Sequence, residues 1–216
     1  MTITAAALAA HRRLAELVAD VTDDQAREPS VLPGWTRGHV LAHVEGVTEA
    51  MARQAENEGA KLEPYPGGRA GRDAVIEQRA GRSVAEHREA IAQAVARLEK
   101  AWEGVQDWST PVGYRDGTME DTAYAVWREV EIHTFDLGLG PVTFEPDFCE
   151  HAVDFLAKRV PDGVQLALVS PGRKWTIGAG EPHELRGEAT DLVLWLAGRE
   201  PLGEVTGTRP ELNPWP

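Results

Sequence analysis

The sequence predicts an α+β protein: a helical bundle over residues 1–140 followed by a small mixed domain over 141–216. Three observations predict it. Apolar residues recur at helical spacing in four segments before Gly138. Long connections separate some of these segments, as in helix bundles that are not simple up-and-down hairpins. Near Pro141 the pattern changes to short apolar runs divided by Pro and Gly, which read as strands. A chain of 216 residues has enough surface to bury for one large domain or two small ones.

The elements follow in order. From about Ala5 to Val21, the residues Leu8, Leu14, Leu17, Val18 and Val21 form the first stripe. Pro33-Gly34 marks a turn, and Thr36 is the expected N-cap of a second helix carrying Val40, Leu41, Val44, Val47 and Met51. Residues 59–81 are rich in Gly, Pro and Arg and read as a long connection with a short helix near Asp73 to Gln78. Ser83-Val84-Ala85-Glu86 has the form of a capping box and opens a third helix to about Trp102. Thr118 to Asp121 is another capped start, for a helix ending at Leu137-Gly138. Beyond Pro141, a helix is expected over 146–160, strands over 164–170 and 174–177 joined by Pro171-Gly172, and a third strand over 183–187. An apolar helix over 190–196 and a last strand over 202–206 complete the order.

Composition excludes several function classes. The net charge of −13 disfavours nucleic acid and anionic membrane surfaces, both of which need a basic partner. The longest apolar run, Leu192 to Ala197, is too short to span a bilayer. No basic region precedes an apolar stretch at the N-terminus, so no secretion signal is expected, and the chain is expected in the cytoplasm. Cys149 is the only cysteine, which rules out an internal disulfide and a cysteine metal site. Its ordinary role is that of a small buried hydrophobe.

Chemistry concentrates in two helices. Glu129 and His133 are four apart and share a helix face, and His43 lies beside the apolar stripe of the second helix. A carboxylate beside an apolar stripe needs a cation or a proton to offset its desolvation. Two imidazoles and a carboxylate suit a divalent ion such as zinc, and three protein ligands leave a fourth position open. His39, one turn before His43, is read as capping the helix start, with a fourth-ligand role as the alternative. Asp136 follows His133 by three and either orients its ring or makes an ordinary helix-end contact. Glu131 points elsewhere, and His11, His87, His151 and His183 are read as structural.

Three stretches carry a family resemblance. They are Gly34-Trp35-Thr36-Arg37-Gly38-His39-Val40-Leu41-Ala42-His43, the segment Trp127 to Leu137, and the segment Ala189 to Arg199. Together they resemble the mycothiol-dependent maleylpyruvate isomerases, of the DinB-like metal-binding bundle superfamily. The resemblance implies a DinB-like four-helix bundle over 1–140 and a sterol-carrier-like α+β domain over 141–216. It places metal ligands at His43, Glu129 and His133 and a functional arginine at Arg199, with Arg209 as the rival. It implies zinc or another divalent metal, mycothiol as thiol cofactor, and a small dicarboxylate substrate. The implied reaction is cis–trans isomerisation of maleylpyruvate to fumarylpyruvate in gentisate breakdown. Two other readings stay open: a mycothiol S-transferase of the same superfamily, and a metal-stabilised protein that binds an apolar ligand. Thiol-dependent turnover of maleylpyruvate separates them. The oligomeric state is not legible in the sequence.

Overall fold

Helices bearing leucine and valine stripes bury them against one another, and this alone accounts for most of the first compact unit, Met1–Gly140. The computed structural model describes residues 1–215. Four long helices make the bundle: α1 (Ile3–Leu17), α3 (Arg37–Glu56), α5 (Val84–Glu103) and α6 (Met119–Asp136). Two shorter helices, α2 (Asp23–Arg27) and α4 (Gly68–Arg79), lie in the connections. α3 packs on α5, α6 and α4, and α1 packs on α6 and α5. The core holds Leu14, Leu41, Met51, Leu98, Met119 and Leu137, all fully buried. Each such side chain contributes about 1.5–3 kcal/mol relative to exposure.

Caps decide where the helices begin. Thr36, Ser83 and Thr118 each close a capping box, the last with Asp121 as the reciprocal partner. α3 and α6 start alike: isolated bridges pair Pro29 with Thr36 and Pro111 with Thr118, so each loop is pinned just before its N-cap threonine. α1 ends at Leu17 rather than Val21, because Val18 closes it and Thr22 already caps α2. The expected short helix in the 59–81 connection is longer than its sequence suggests. Ile76 buries its side chain, and Arg79 of α4 and Arg82 ion-pair with the buried carboxylate of Glu45 on α3. α3 and this segment approach closely enough that a Cβ on Gly38 would lie 2.2 Å from the Ala80 carbonyl oxygen.

The second unit, from Pro141 onward, is a four-stranded sheet with two helices. α7 (Pro146–Leu156) runs into a 3₁₀ turn at Ala157–Arg159, short of the expected end at Val160. β1 (Gly163–Ser170) and β2 (Arg173–Gly178) form the expected hairpin; β3 (Gly180–Arg186) then pairs parallel to the other edge of β1. The crossing takes only Gly178-Ala179-Gly180, and a Cβ on Gly180 (φ +135°) would sit 2.0 Å from the Gly163 carbonyl oxygen. β4 (Thr206–Gly207) is shorter than the strand expected over 202–206, and the sheet order is β2-β1-β3-β4. α8 (Ala189–Leu196) packs on α7 and β1. Among the described residues no helix is long and apolar enough to cross a membrane.

Candidate metal centre

His43, two turns into α3, and Glu129 and His133, in the second half of α6, come together although 86 residues separate the first from the second. Glu129 Oε2 lies 3.0 Å from His43 Nε2 and 3.2 Å from His133 Nε2. All three donor atoms lie within 4.8 Å of one another. The two imidazoles meet edge to face with centroids 4.5 Å apart, and Trp35 abuts His43 at 5.7 Å. Around a tetrahedral zinc with bonds near ~2.0–2.1 Å, neighbouring ligand atoms stand roughly 3.3 Å apart. The observed separations are therefore of the right size.

The electrostatics point the same way. Burial and the neighbouring His133 lower the affinity of His43 for a proton, against the pull of Glu129. Burial opposes charge on His133 too, but hydrogen bonds to Asp136 and Glu129 outweigh it and push its pKa up to about 9. Glu129 is partly buried, yet the two imidazoles hold its carboxyl well below the usual carboxylate range. Without an ion, the charge that offsets the carboxylate is thus a proton on His133. His133 Nδ1 stands 2.8 Å from Asp136 Oδ2, a fully buried carboxylate. That contact fixes the ring so that Nε2 faces the cluster, as in carboxylate–histidine–metal arrangements. Two carboxylates against one protonated imidazole leave net negative charge, and a divalent cation fits this donor set.

None of the other candidates in the first unit joins the cluster. His39 caps α3: its Nδ1 accepts from the Thr36 backbone N–H at 3.2 Å, and its Nε2 is 3.4 Å from Glu77. Glu131 faces Arg13 of α1 and accepts from Trp127 Nε1. His11 and His87 are buried structural residues, and Cys149 is fully buried in α7. Arg199 follows α8 and donates to the Ala197 carbonyl at 2.8 Å, with Trp215 stacked 5.4 Å away. Arg209 is near Glu200 and the Val205 carbonyl.

The structure adds neighbours that no spacing pattern marks. Tyr65 and Arg72, from the Gly- and Pro-rich connection, line a cavity of about 250 Å³ that His43 also lines. Tyr114 and the buried Arg128 hydrogen-bond each other, and both feel the charge of Glu129. The length of the 59–81 connection was the one usable signal, since long ordered loops tend to carry function.

Residues 7–138 match the mycothiol maleylpyruvate isomerase N-terminal domain, and residues 143–214 match the C-terminal domain of the same family. The chain belongs to the mycothiol maleylpyruvate isomerase family. A crystal structure of the mycothiol-dependent maleylpyruvate isomerase aligns with a TM-score of 0.81 at 25% identity, covering 99% of this chain and 95% of that one. The structure of a histidine-to-alanine mutant aligns with a TM-score of 0.85 at 23% identity over the same shares, and so shares the fold. No curated protein matches the chain.

Proposed function

We propose that this protein is a cytoplasmic, metal- and mycothiol-dependent isomerase that converts maleylpyruvate to fumarylpyruvate. The observation that carries this is the convergence of His43, Glu129 and His133 in a chain of this family. Zinc and mycothiol, when bound, supply a thiolate whose reversible addition to the conjugated C=C bond leaves a single bond free to rotate.

The chain's own residues do the rest. His43, Glu129 and His133 would hold the ion, the two histidines as neutral imidazoles and the glutamate as a carboxylate. Asp136 keeps the His133 proton on Nδ1, so that Nε2 is the ligating atom. Arg199 stabilises negative charge, either on a substrate carboxylate or on the ketone oxygen as it gains charge; its fork of N–H donors suits both. The chain supplies no accessible thiol of its own, because Cys149 has no exposed surface. That supports a thiol brought from outside.

The test is turnover of maleylpyruvate by zinc-loaded protein with and without mycothiol. Fumarylpyruvate is expected only when the thiol is present. Equal turnover without thiol, or none with it, overturns the assignment. Thiol consumption with other electrophiles but not with maleylpyruvate identifies the S-transferase reading instead.

A further inference from the structure

The cavity beside His43 runs along one face of α3. Ala42, His43, Gly46, Glu49, Ala50 and Arg53 form its floor, and the 64–66 loop and α4 cover it. Helical rise makes this floor about 15 Å long. Four arginines reach it, but their charges are not equally available. Arg79 is ion-paired with Glu45 and Glu49. Arg97 makes a two-pronged pair with Glu56, and Arg53 donates to the Glu63 carbonyl. Arg72 is paired through two of its nitrogens, Nε and Nη2, which donate to the half-exposed carboxylate of the next residue, Asp73, at 3.0 and 2.8 Å; its Nη1 makes no hydrogen bond among the described residues. Its charge acts on His43 and on Tyr65, so it lies at the His43 end of the cavity.

Tyr65 stands with it. The Arg72 guanidinium carbon is 6.0 Å from the Tyr65 ring centroid, a spacing at which a cation is held over an aromatic face. The ring is largely buried, close to Glu129, and burial raises its pKa, so the hydroxyl keeps its proton and remains a donor. No hydrogen bond among the described residues occupies that hydroxyl. The remaining Arg72 N–H donor and the Tyr65 phenolic O–H therefore lie at one end of a cavity in which Arg79 and Arg97 are paired with carboxylates. Two donors of this kind suit a carboxylate oxygen pair.

We propose that Arg72 and Tyr65 form an anion subsite at the His43 end of this cavity, and that it receives a carboxylate of the substrate. Identifying the anion as a substrate carboxylate rests on the isomerase reading; the subsite itself rests on the cavity. It is a different group from Arg199.

Titration of the zinc-loaded protein with maleate, a non-isomerising cis-dicarboxylate, tests the proposal by calorimetry. Arg72→Ala is expected to weaken maleate binding about tenfold or more, the loss of a charge-assisted hydrogen bond. Tyr65→Phe should weaken it by a smaller factor. Arg69→Ala, which removes an exposed cation from the same helix, should leave it unchanged, and zinc content should be the same in all three. Unchanged affinity in Arg72→Ala or Tyr65→Phe, or an equal loss in Arg69→Ala, overturns the subsite. Maleylpyruvate turnover is measured in parallel. A parent protein that binds maleate with this pattern but turns nothing over keeps the subsite and loses the isomerase reading. One that turns over maleylpyruvate while Arg72→Ala binds maleate normally does the reverse.

Discussion

At the level of single residues, one carboxylate serves two imidazoles. Glu129 Oε2 is within hydrogen-bond distance of both His43 and His133, so removing either histidine leaves the other ligands with an incomplete set. His43→Ala and His133→Ala are each expected to cut zinc content far below one ion per chain, read by elemental analysis. Retention of a full ion would refute the ligand set. Arg199→Ala should keep its zinc but lose kcat/KM. A charge contact worth about 3 kcal/mol in the transition state corresponds to roughly a hundredfold, and Arg199→Lys should recover only part, lacking the fork. Parent-like activity in Arg199→Ala would transfer attention to Arg209. The meeting of His43, Glu129 and His133 was legible in the sequence because helix periodicity puts Glu129 and His133 on one face and His43 beside an apolar stripe. The His39 cap was legible as well, since it sits at the third position after Thr36. Tyr65 and Arg72 were not: they reach the cavity through an irregular loop and a glycine-bearing helix, where spacing says nothing about direction.

Among the elements, α6 is the one on which the site most depends, because it carries two of the three candidate ligands. Its start is held by Thr118 and Asp121. The Asp121 carboxylate accepts from the Thr118 backbone N–H at 2.7 Å and from its hydroxyl at 2.9 Å. Asp121→Ala should therefore cost about 1 kcal/mol, a fall in melting temperature of roughly 2–4 °C. Zinc content should not change, since Glu129 lies more than two turns further on; an unaltered melting temperature would show the box to be dispensable. The same caps explain which helices were legible in sequence. Thr36, Ser83 and Thr118 each precede a long stripe, and their starts agree with the structure. α2 escaped notice because five residues cannot show a period, although Thr22 and Gln25 form a capping box. α4 was recognised only in its middle, because Gly68 and Gly71 mask its first turn and its contacts with α3 hold it. β3 began earlier than expected because Glu181, Pro182 and His183 carry no apolar alternation; the parallel pairing with β1, not side-chain pattern, defines that end.

For the molecule as a whole, acid sensitivity has a definite source. His11 is buried between α1 and α3, its Nε2 3.3 Å from the Thr48 hydroxyl. That hydroxyl donates to the Val44 carbonyl, so it accepts from the ring, and Nδ1 is left without a partner. Burial lowers the His11 pKa from 6.5 to about 4. Above pH ~6.5 both folded and unfolded states hold the ring neutral, and it contributes no pH dependence. Between about 6.5 and 4 the unfolded chain binds a proton that the folded one refuses, so stability falls with falling pH, by of order 3 kcal/mol across the window. His11→Gln should flatten this part of the stability–pH curve; a slope equal to the parent's would exclude His11 as its origin. His87, buried with a lowered pKa, adds a slope of the same sign. The pairing of His43 with Glu129 has a different consequence at this scale. An ion gripped by both is a cross-link that closes a loop of 86 residues, acting as a removable staple between α3 and α6. At a thousandfold excess over its dissociation constant, such an ion adds about 4 kcal/mol to the folded state. Dialysis against a chelator should thus lower the melting temperature of the parent and leave that of His43→Ala where it was; an unmoved parent would exclude a staple of this kind.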